Sequence, residues 1–292
     1  MNTRKILIDL GLSTHESIEL YHHRVRDAEN LPVYKCSKSG VIFLHDTRHI
    51  SKEHYAEMED LHYWKSSSRE EAMRHLEDDT NRRVEQFLKY VLDKDWVDIG
   101  TGIGALLDQL SPYAKSTIAI EPQLAARTLL QQLGHKVLAS TDELPDESVD
   151  IATLFHVVEH FTEPIDELTR IASKVKPGGK IIIEVPHASD FLLSFLDNQS
   201  FKEFTLWSEH IILHTRKSLE IMLSHCGWKP LISYGVQRYP LANHLHWLAK
   251  GKPGGHQLWS ALRSTELDKA YENMLAKLDM TDTLICIAEK PE

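Results

Sequence analysis

Apolar and polar positions keep one rhythm through the middle of the chain and lose it on either side. Short apolar runs at 96–99, 117–120, 136–138, 150–155 and 180–185 read as strands. Between them, 105–110 and 164–173 show helical spacing, and Gln131-Gln132-Leu133-Gly134 reads as a helix stop. Lys176-Pro177-Gly178-Gly179 reads as a tight turn into the strand at 180–185. Strands separated by helices and joined by short connections predict an α/β fold, a doubly wound, mostly parallel sheet covered on both faces.

Beyond Pro186 the alternation breaks. A helix is expected at 217–225 with a stop at Gly227, then β runs at 228–234 and 283–288. The stretch 237–281 between them is more than a minimal domain needs. Its residues Tyr239, Asn243, His244, Trp247, Lys252 and His256 suggest a substrate-facing cap, with a surface elaboration or homodimer contact as the alternative. At the other end, residues 1–75 read as a separate helper segment. There, apolar runs at 31–34 and 41–44 flank the hairpin signal Ser37-Lys38-Ser39-Gly40. From 69 to 92 the spacing is helical, with Asp78, Asp79, Arg82 and Arg83 placed for ion pairs three and four residues apart. The main domain is therefore drawn at 76–292.

Composition narrows the function classes. The chain has 292 residues, 42% of them apolar and 26% charged, as in a soluble globular protein. A net charge of −10 opposes nucleic-acid binding, which rests on cations against phosphates. No apolar run approaches a membrane span, and the first residues lack a secretory segment, so no membrane partner is expected. Three scattered cysteines oppose a disulfide framework and suit a reducing cytoplasmic setting. The 18 histidines are spread out, without a His-Glu-x-x-His or paired Cys-x-x-Cys pattern, so no metal is expected.

The densest chemistry lies in Trp96-Val97-Asp98-Ile99-Gly100-Thr101-Gly102-Ile103-Gly104. Glycines at every second position allow positive φ and let backbone amides approach a ligand. The following helix presents its amino end to that turn and favours an electron-rich ligand group. Two cofactor classes fit. Gly100-x-Gly102-x-x-Ala105 satisfies the dinucleotide fingerprint, and Asp98-x-Gly100-x-Gly102-x-Gly104 satisfies the loop of S-adenosylmethionine (SAM) methyltransferases. Glu121, ending the second strand, could take ribose hydroxyls in either class.

From Asp98 to Trp228 the chain resembles the class I SAM-dependent methyltransferases. Besides the glycine loop, three segments carry the likeness: Leu144-Pro145-Asp146-Glu147-Ser148-Val149-Asp150, Phe155-His156-Val157-Val158-Glu159-His160 and Val175-Lys176-Pro177-Gly178-Gly179. The resemblance implies a seven-stranded Rossmann-like sheet whose last strand runs antiparallel. It implies that Asp98 orients the methionine amino group, that Gly100, Thr101, Gly102 and Gly104 approach methionine and ribose, and that Glu121 and Pro122 meet the ribose. Ser140, Thr141 and Asp142 would flank adenine, and His156 would line the pocket near the sulfonium. An acidic residue often meets the adenine amino group where this chain has Ser140, and Asp142 is the substitute. The alternatives are an NAD-dependent oxidoreductase and a non-catalytic SAM-binding partner protein.

The segment Trp207-Ser208-Glu209-His210 resembles the Glu-His segment of sugar C-methyltransferases, which makes Glu209 and His210 the first catalytic candidates. His187, just after the fifth strand of this domain, is a third. Glu159-His160 is a second Glu-His pair, readable as a loop anchor. Arg82 and Arg83 are read as helix ion pairs or contacts to the cofactor carboxylate, and Tyr63 and Trp64 as packing or a cover. The acceptor implied is a small or carrier-linked metabolite, with a nucleotide-linked or surface-glycan sugar as the leading class. Around Cys36 the hairpin resembles a zinc ribbon that has lost its metal. Ser39 replaces the second cysteine; a Cys36, His22, His45 and His49 set can be imagined, but four thiolate positions have collapsed to one where zinc wants four ligands.

Overall fold

The computed structural model describes residues 3–45, 47–50 and 68–292. Tyr63 and Trp64 lie outside the described residues. A small antiparallel sheet is built from β1 (Ile18–His22), β2 (Val33–Cys36) and β3 (Ile42–Leu44). The main sheet takes β4 (Asp95–Ile99), β5 (Ser116–Ile120), β6 (Val137–Leu138), β7 (Val149–Phe155) and β8 (Val175–Pro186). The short β9 (Ile212–Leu213) returns to the small sheet, whereas β10 (Lys229–Val236) and β11 (Thr283–Glu289) complete the main one. Its seven-stranded order is β10-β11-β8-β7-β4-β5-β6, with β11 antiparallel to both neighbours.

This order creates the functional edge. From β4 the chain steps outward to β5 and β6, then crosses back to place β7 on the other side of β4. A crevice opens where the connections diverge, at the carboxyl ends of β4 and β7. The strands are apolar on both faces because helices cover both: Val97 and Ile183 enter the core on one face and Trp96 and Ile182 the core on the other, all at most 1% exposed.

Three expectations are corrected. Residues 176–179 are not a turn before a strand. Val149 pairs with Val175 and Ile151 with Lys180, so these four residues bulge out of one continuous β8. Nor is the amino-terminal segment separate. Ile6, Leu7, Val41 and Phe43 share one core cluster with Val97, Leu154 and Ile183, and β3 pairs with β9 through Ile42–Leu213 and Phe43–Ile212. Burying Ile42 and Phe43 to 1% exposure contributes about 1.5–3 kcal/mol each, which explains why this hairpin docks. Finally, a boundary at residue 75 would cut the helix Arg69–Val91. That helix begins at Ser68, whose side chain accepts from the Glu71 amide, with Glu70 and Glu71 in its first turn. Its Phe87 packs on Phe155 of β7 at 5.3 Å between ring centroids.

The stretch 237–281 folds as helices Leu241–Lys250, Gly255–Leu258 and Thr265–Leu278. Most polar groups proposed to face substrate are spent internally. His244 Nδ1 meets the Tyr271 hydroxyl at 2.7 Å, Asn243 accepts from the Gly255 amide, and Trp247 is 3% exposed. No helix among the described residues is long and apolar enough to cross a membrane.

Candidate active site

The glycine loop sits at the crevice. Gly100, Gly102 and Gly104 all hold positive φ, and Gly104 is the left-handed residue that starts the helix Ala105–Leu110. A Cβ on Gly100 would lie 2.4 Å from Val157 Cγ2, so the residue after β4 and the segment after β7 meet only because no side chain intervenes. From the other side, Arg69 fastens the loop by donating to Ile103 O at 2.9 Å and pairing with Asp108 at 2.7 Å.

Two carboxylates frame the loop. Asp98, 3% exposed, accepts from Thr153 Oγ1 at 2.6 Å, and that hydroxyl accepts from Trp96 Nε1 at 2.8 Å. Burial pushes the Asp98 carboxyl up to about 6 against these donors. Glu121 accepts from Gly102 N through Oε2 at 2.7 Å and from Gln123 N through Oε1 at 2.9 Å. Its carboxyl is raised by burial, with the amide donors and Arg127 acting in the opposite direction. Arg127 also holds the carbonyls of Glu121 and Pro122 at 2.7 and 2.9 Å.

After β6, Ser140 caps the short helical turn Thr141–Glu143 in a capping box with Glu143. Thr141 is buried. Asp142 pairs with Arg170 at 2.9 Å and accepts from Ser140 Oγ at 3.2 Å, so both of its oxygens already have partners within the chain.

Sequence reasoning missed a buried charge network beside the crevice. Glu184 of β8, 0% exposed, accepts from both Nη atoms of Arg82 at 2.9 and 3.0 Å and from Arg83 at 2.7 Å. Arg82 keeps the expected helix pair with Asp79 at 3.0 Å, and both arginines in addition neutralise a core carboxylate. Burial alone would raise Glu184, but Arg83, His156 and Arg82 hold it well below the usual carboxylate range. Arg238, where the 237–281 stretch begins, pairs with Asp79 and Asp282 at 3.3 and 3.4 Å. The visible signal was Glu184 itself, a charge in the otherwise apolar run Ile181-Ile182-Ile183-Glu184-Val185.

His156 joins this network to a second cluster. It holds a positive φ of 57°, sparsely populated for a residue with a side chain. Its Nε2 lies 3.3 Å from Glu184, and its Nδ1 meets Glu159 Oε1 at 3.2 Å. Burial and the Arg238 charge push its pKa down, yet bonds and charges from Glu159 and Glu184 leave it raised. Glu159 in turn is raised by burial but brought down to about 2 by His156, His160 and His210.

Glu209 and His210 arrive beside this pair. The Ile211 amide donates to Glu159 O at 2.8 Å, and Leu44 N to Ile211 O at 2.9 Å, so the docked hairpin holds the loop in place. His160 Nδ1 lies 3.9 Å from Glu209 Oε2, and the His160 and His210 rings are 5.1 Å apart at 76°. Burial and the neighbouring histidines His160 and His156 drive His210 down to about 3, so its imidazole stays neutral and stores a proton poorly. His187 differs from expectation. It is 1% exposed, with Nδ1 on Thr281 O at 3.1 Å, and burial lowers it to about 4. It is a core residue and not one turned to an acceptor. Around Cys36 the thiol contacts Ser17 Oγ, while His22 and His49 turn to the carbonyls of Arg24 and Ser208.

A cleft of about 610 Å³ opens between the helix Arg69–Val91 and the edge of the main sheet, lined by Asp79, Arg82, Tyr234 and Arg238 among others. Neither the glycine loop nor Glu159 lines it, so it is not the crevice described above.

Residues 69–232 match the family model of the methyltransferase domain. A ubiquinone biosynthesis O-methyltransferase of Bradyrhizobium sp. (strain ORS 278) is 30% identical over 95 residues, which is 30% of this chain and only 38% of that protein. A chain in the complex between the Haloferax volcanii Trm112 methyltransferase activator and a methyltransferase superposes with a TM-score of 0.53 at 16% identity, covering 75% of this chain and 94% of that one. A SAM-dependent methyltransferase from Archaeoglobus fulgidus gives 0.50 at 20% identity, covering 78% and 97%. At these identities the two structures establish a shared fold.

Proposed function

The chain belongs to the methyltransferase domain family, as a class I SAM-dependent methyltransferase, and from that premise we propose that it methylates an oxygen of a small hydroxyl-bearing metabolite. One observation carries the donor side of this reading: Glu121 and Gly102 are bonded to each other across the mouth of a side-chain-free loop. A carboxylate offers about four lone-pair sites. Two are taken by the Gly102 and Gln123 amides, and the others remain for ribose hydroxyls. The loop residues Gly100, Thr101, Gly102 and Gly104, with Asp98, Glu121 and Pro122, therefore fit the cofactor. Ser140, Thr141 and His156 are proposed to complete its surroundings.

When bound, SAM supplies a methyl carbon already made electrophilic by its sulfonium. The work left to the chain is alignment of the acceptor. We assign that work to Glu209 and His210, with Glu159 and His160 beside them. The neutral His210 imidazole suits a hydrogen bond to an acceptor hydroxyl. The Bradyrhizobium relative, named an O-methyltransferase, supports oxygen as the acceptor atom. Sugars linked to nucleotides or glycans are one class of such metabolites, supported by the Glu209-His210 segment. The nicotinamide alternative is not favoured.

Calorimetry with SAM and with NAD tests the donor. SAM is expected to bind and Gly102→Val to abolish binding. Transfer of radiolabelled methyl groups to a panel of sugar nucleotides and hydroxylated small molecules tests the acceptor. His210→Ala should lower turnover by about 100-fold, the scale of a misplaced acceptor, with little change in SAM affinity. SAM binding without transfer to any acceptor would favour the non-catalytic alternative.

A further inference from the structure

Glu159, His160 and His210 converge more closely than aligning an acceptor explains. Glu159 is 0% exposed; its Oε1 meets His156, while its Oε2 is buried without a hydrogen-bond partner among the described residues. Nδ1 of His210 is likewise buried without one. One potential ligand atom from each of Glu159, His160 and His210 lies within 4.8 Å of the others. Buried polar atoms normally find partners, so two orphans in one cluster point to a missing occupant.

We propose that these three side chains bind a divalent cation of the zinc type through two imidazole nitrogens and one carboxylate oxygen. Imidazole ligands suit zinc and its transition-metal neighbours, whereas magnesium and calcium take oxygen ligands. Three protein ligands leave a coordination position open, the pattern of reactive sites and not of closed structural ones. Bonds of about 2.1 Å place tetrahedral ligand atoms roughly 3.4 Å apart, so the side chains must draw in from their present separation of up to 4.8 Å.

The surroundings suit such a site. His156 holds one oxygen of Glu159 and is itself held by Glu184, an outer layer that orients a ligand. Trp207 packs edge-on against His160 and His210 at 6.0 and 5.3 Å. Glu209 adds a second carboxylate 3.9 Å from His160, favouring a dication over a neutral occupant. The ligands come from the turn Val158–His160 and the loop before β9, which the Ile211–Glu159 backbone bond brings together. The sequence spacing therefore resembles no metal motif. This assignment goes beyond the proposed transfer and needs neither donor nor acceptor.

The test is a Co²⁺ titration of the full chain after chelator treatment, followed by visible d–d absorption. One equivalent is expected to bind, to be displaced by Zn²⁺ and to resist a hundredfold excess of Mg²⁺. His160→Ala and His210→Ala, checked by circular dichroism, should each lose affinity by at least the 10–100-fold that disturbing even an outer contact costs. His135→Ala, a histidine paired with Asp108, should bind as the parent does. If His210→Ala fails to fold, His160→Gln and His210→Asn give the same readout. No stoichiometric binding, binding that survives the folded variants, or equal displacement by Mg²⁺ would overturn the site. SAM calorimetry in chelator is read separately, so failure of the donor assignment and failure of the metal assignment are distinct results.

Discussion

The Gly102 amide donates to Glu121 Oε2 at 2.7 Å, tying the loop after β4 to the end of β5. One carboxylate thereby shapes the loop and keeps lone pairs for a ligand. Glu121→Ala should lose both, weakening SAM binding by more than tenfold in calorimetry. It should also cost about 1–3 kcal/mol of stability, the penalty for leaving buried amides unpaired. Glu121→Gln retains one acceptor oxygen and should fall between. SAM affinity unchanged in Glu121→Ala would remove this residue from the donor site.

Gly100 and Val157 are in enforced contact. Gly100→Ala adds a Cβ at φ +70° and 2.4 Å from Val157 Cγ2, and is expected to destabilise by about 1–3 kcal/mol. Val157→Ala in the same chain should recover the steric part and leave the backbone part of about 1–2 kcal/mol. A double-mutant cycle by urea denaturation measures the coupling; additive effects would refute the contact.

Glu184 is the buried counterion of Arg82 and Arg83. Removing it leaves Arg83 without its bonded carboxylate and Arg82 with Asp79 alone, so Glu184→Ala should cost about 3–5 kcal/mol. Glu184→Gln keeps hydrogen-bond acceptance and should cost less. Denaturant midpoints at neutral pH provide the comparison.

Two aspartates give pH dependences of opposite sign. Burial raises Asp79, but Arg238, Arg83 and Arg82 bring it to about 2 from an ordinary 3.8. Its stabilisation is full above about pH 4 and is lost as pH falls toward 2, about 2 kcal/mol in all. Asp79→Asn should flatten that acid limb. Asp190, which caps the helix Phe191–Ser194 through the Leu192 and Leu193 amides, is pushed up to about 8 by burial and by Asp282. Its protonated form favours folding, so stability is lost as pH rises from about 4 toward 8. Asp190→Asn keeps a good cap without the charge. It should match the parent near pH 4 and exceed it in thermal melts at pH 9; a deficit at pH 9 would show that the carboxylate is needed.

The alternation of strands and helices, the Gly100–Gly104 loop, Glu121 and the Glu209-His210 pair were legible because each is local. Spacing over a few residues sets backbone conformation, and glycines at every second position signal the positive φ found at Gly100, Gly102 and Gly104. The hairpin at Cys36 was legible as a hairpin for the same reason. Where it docks was not, since its partner β9 lies far along the chain. Arg82 and Glu184 are 102 residues apart, and their pairing depends on which side of β4 the chain places β7 and β8. His187 follows a strand end, yet Thr281, 94 residues further on, meets its ring in the buried interior. Short-range sterics and periodicity wrote the central strand–helix alternation and the glycine turn into the local sequence. Which charges meet in the core, and that Glu159, His160 and His210 converge, followed from strand order and buried packing, which set those distances.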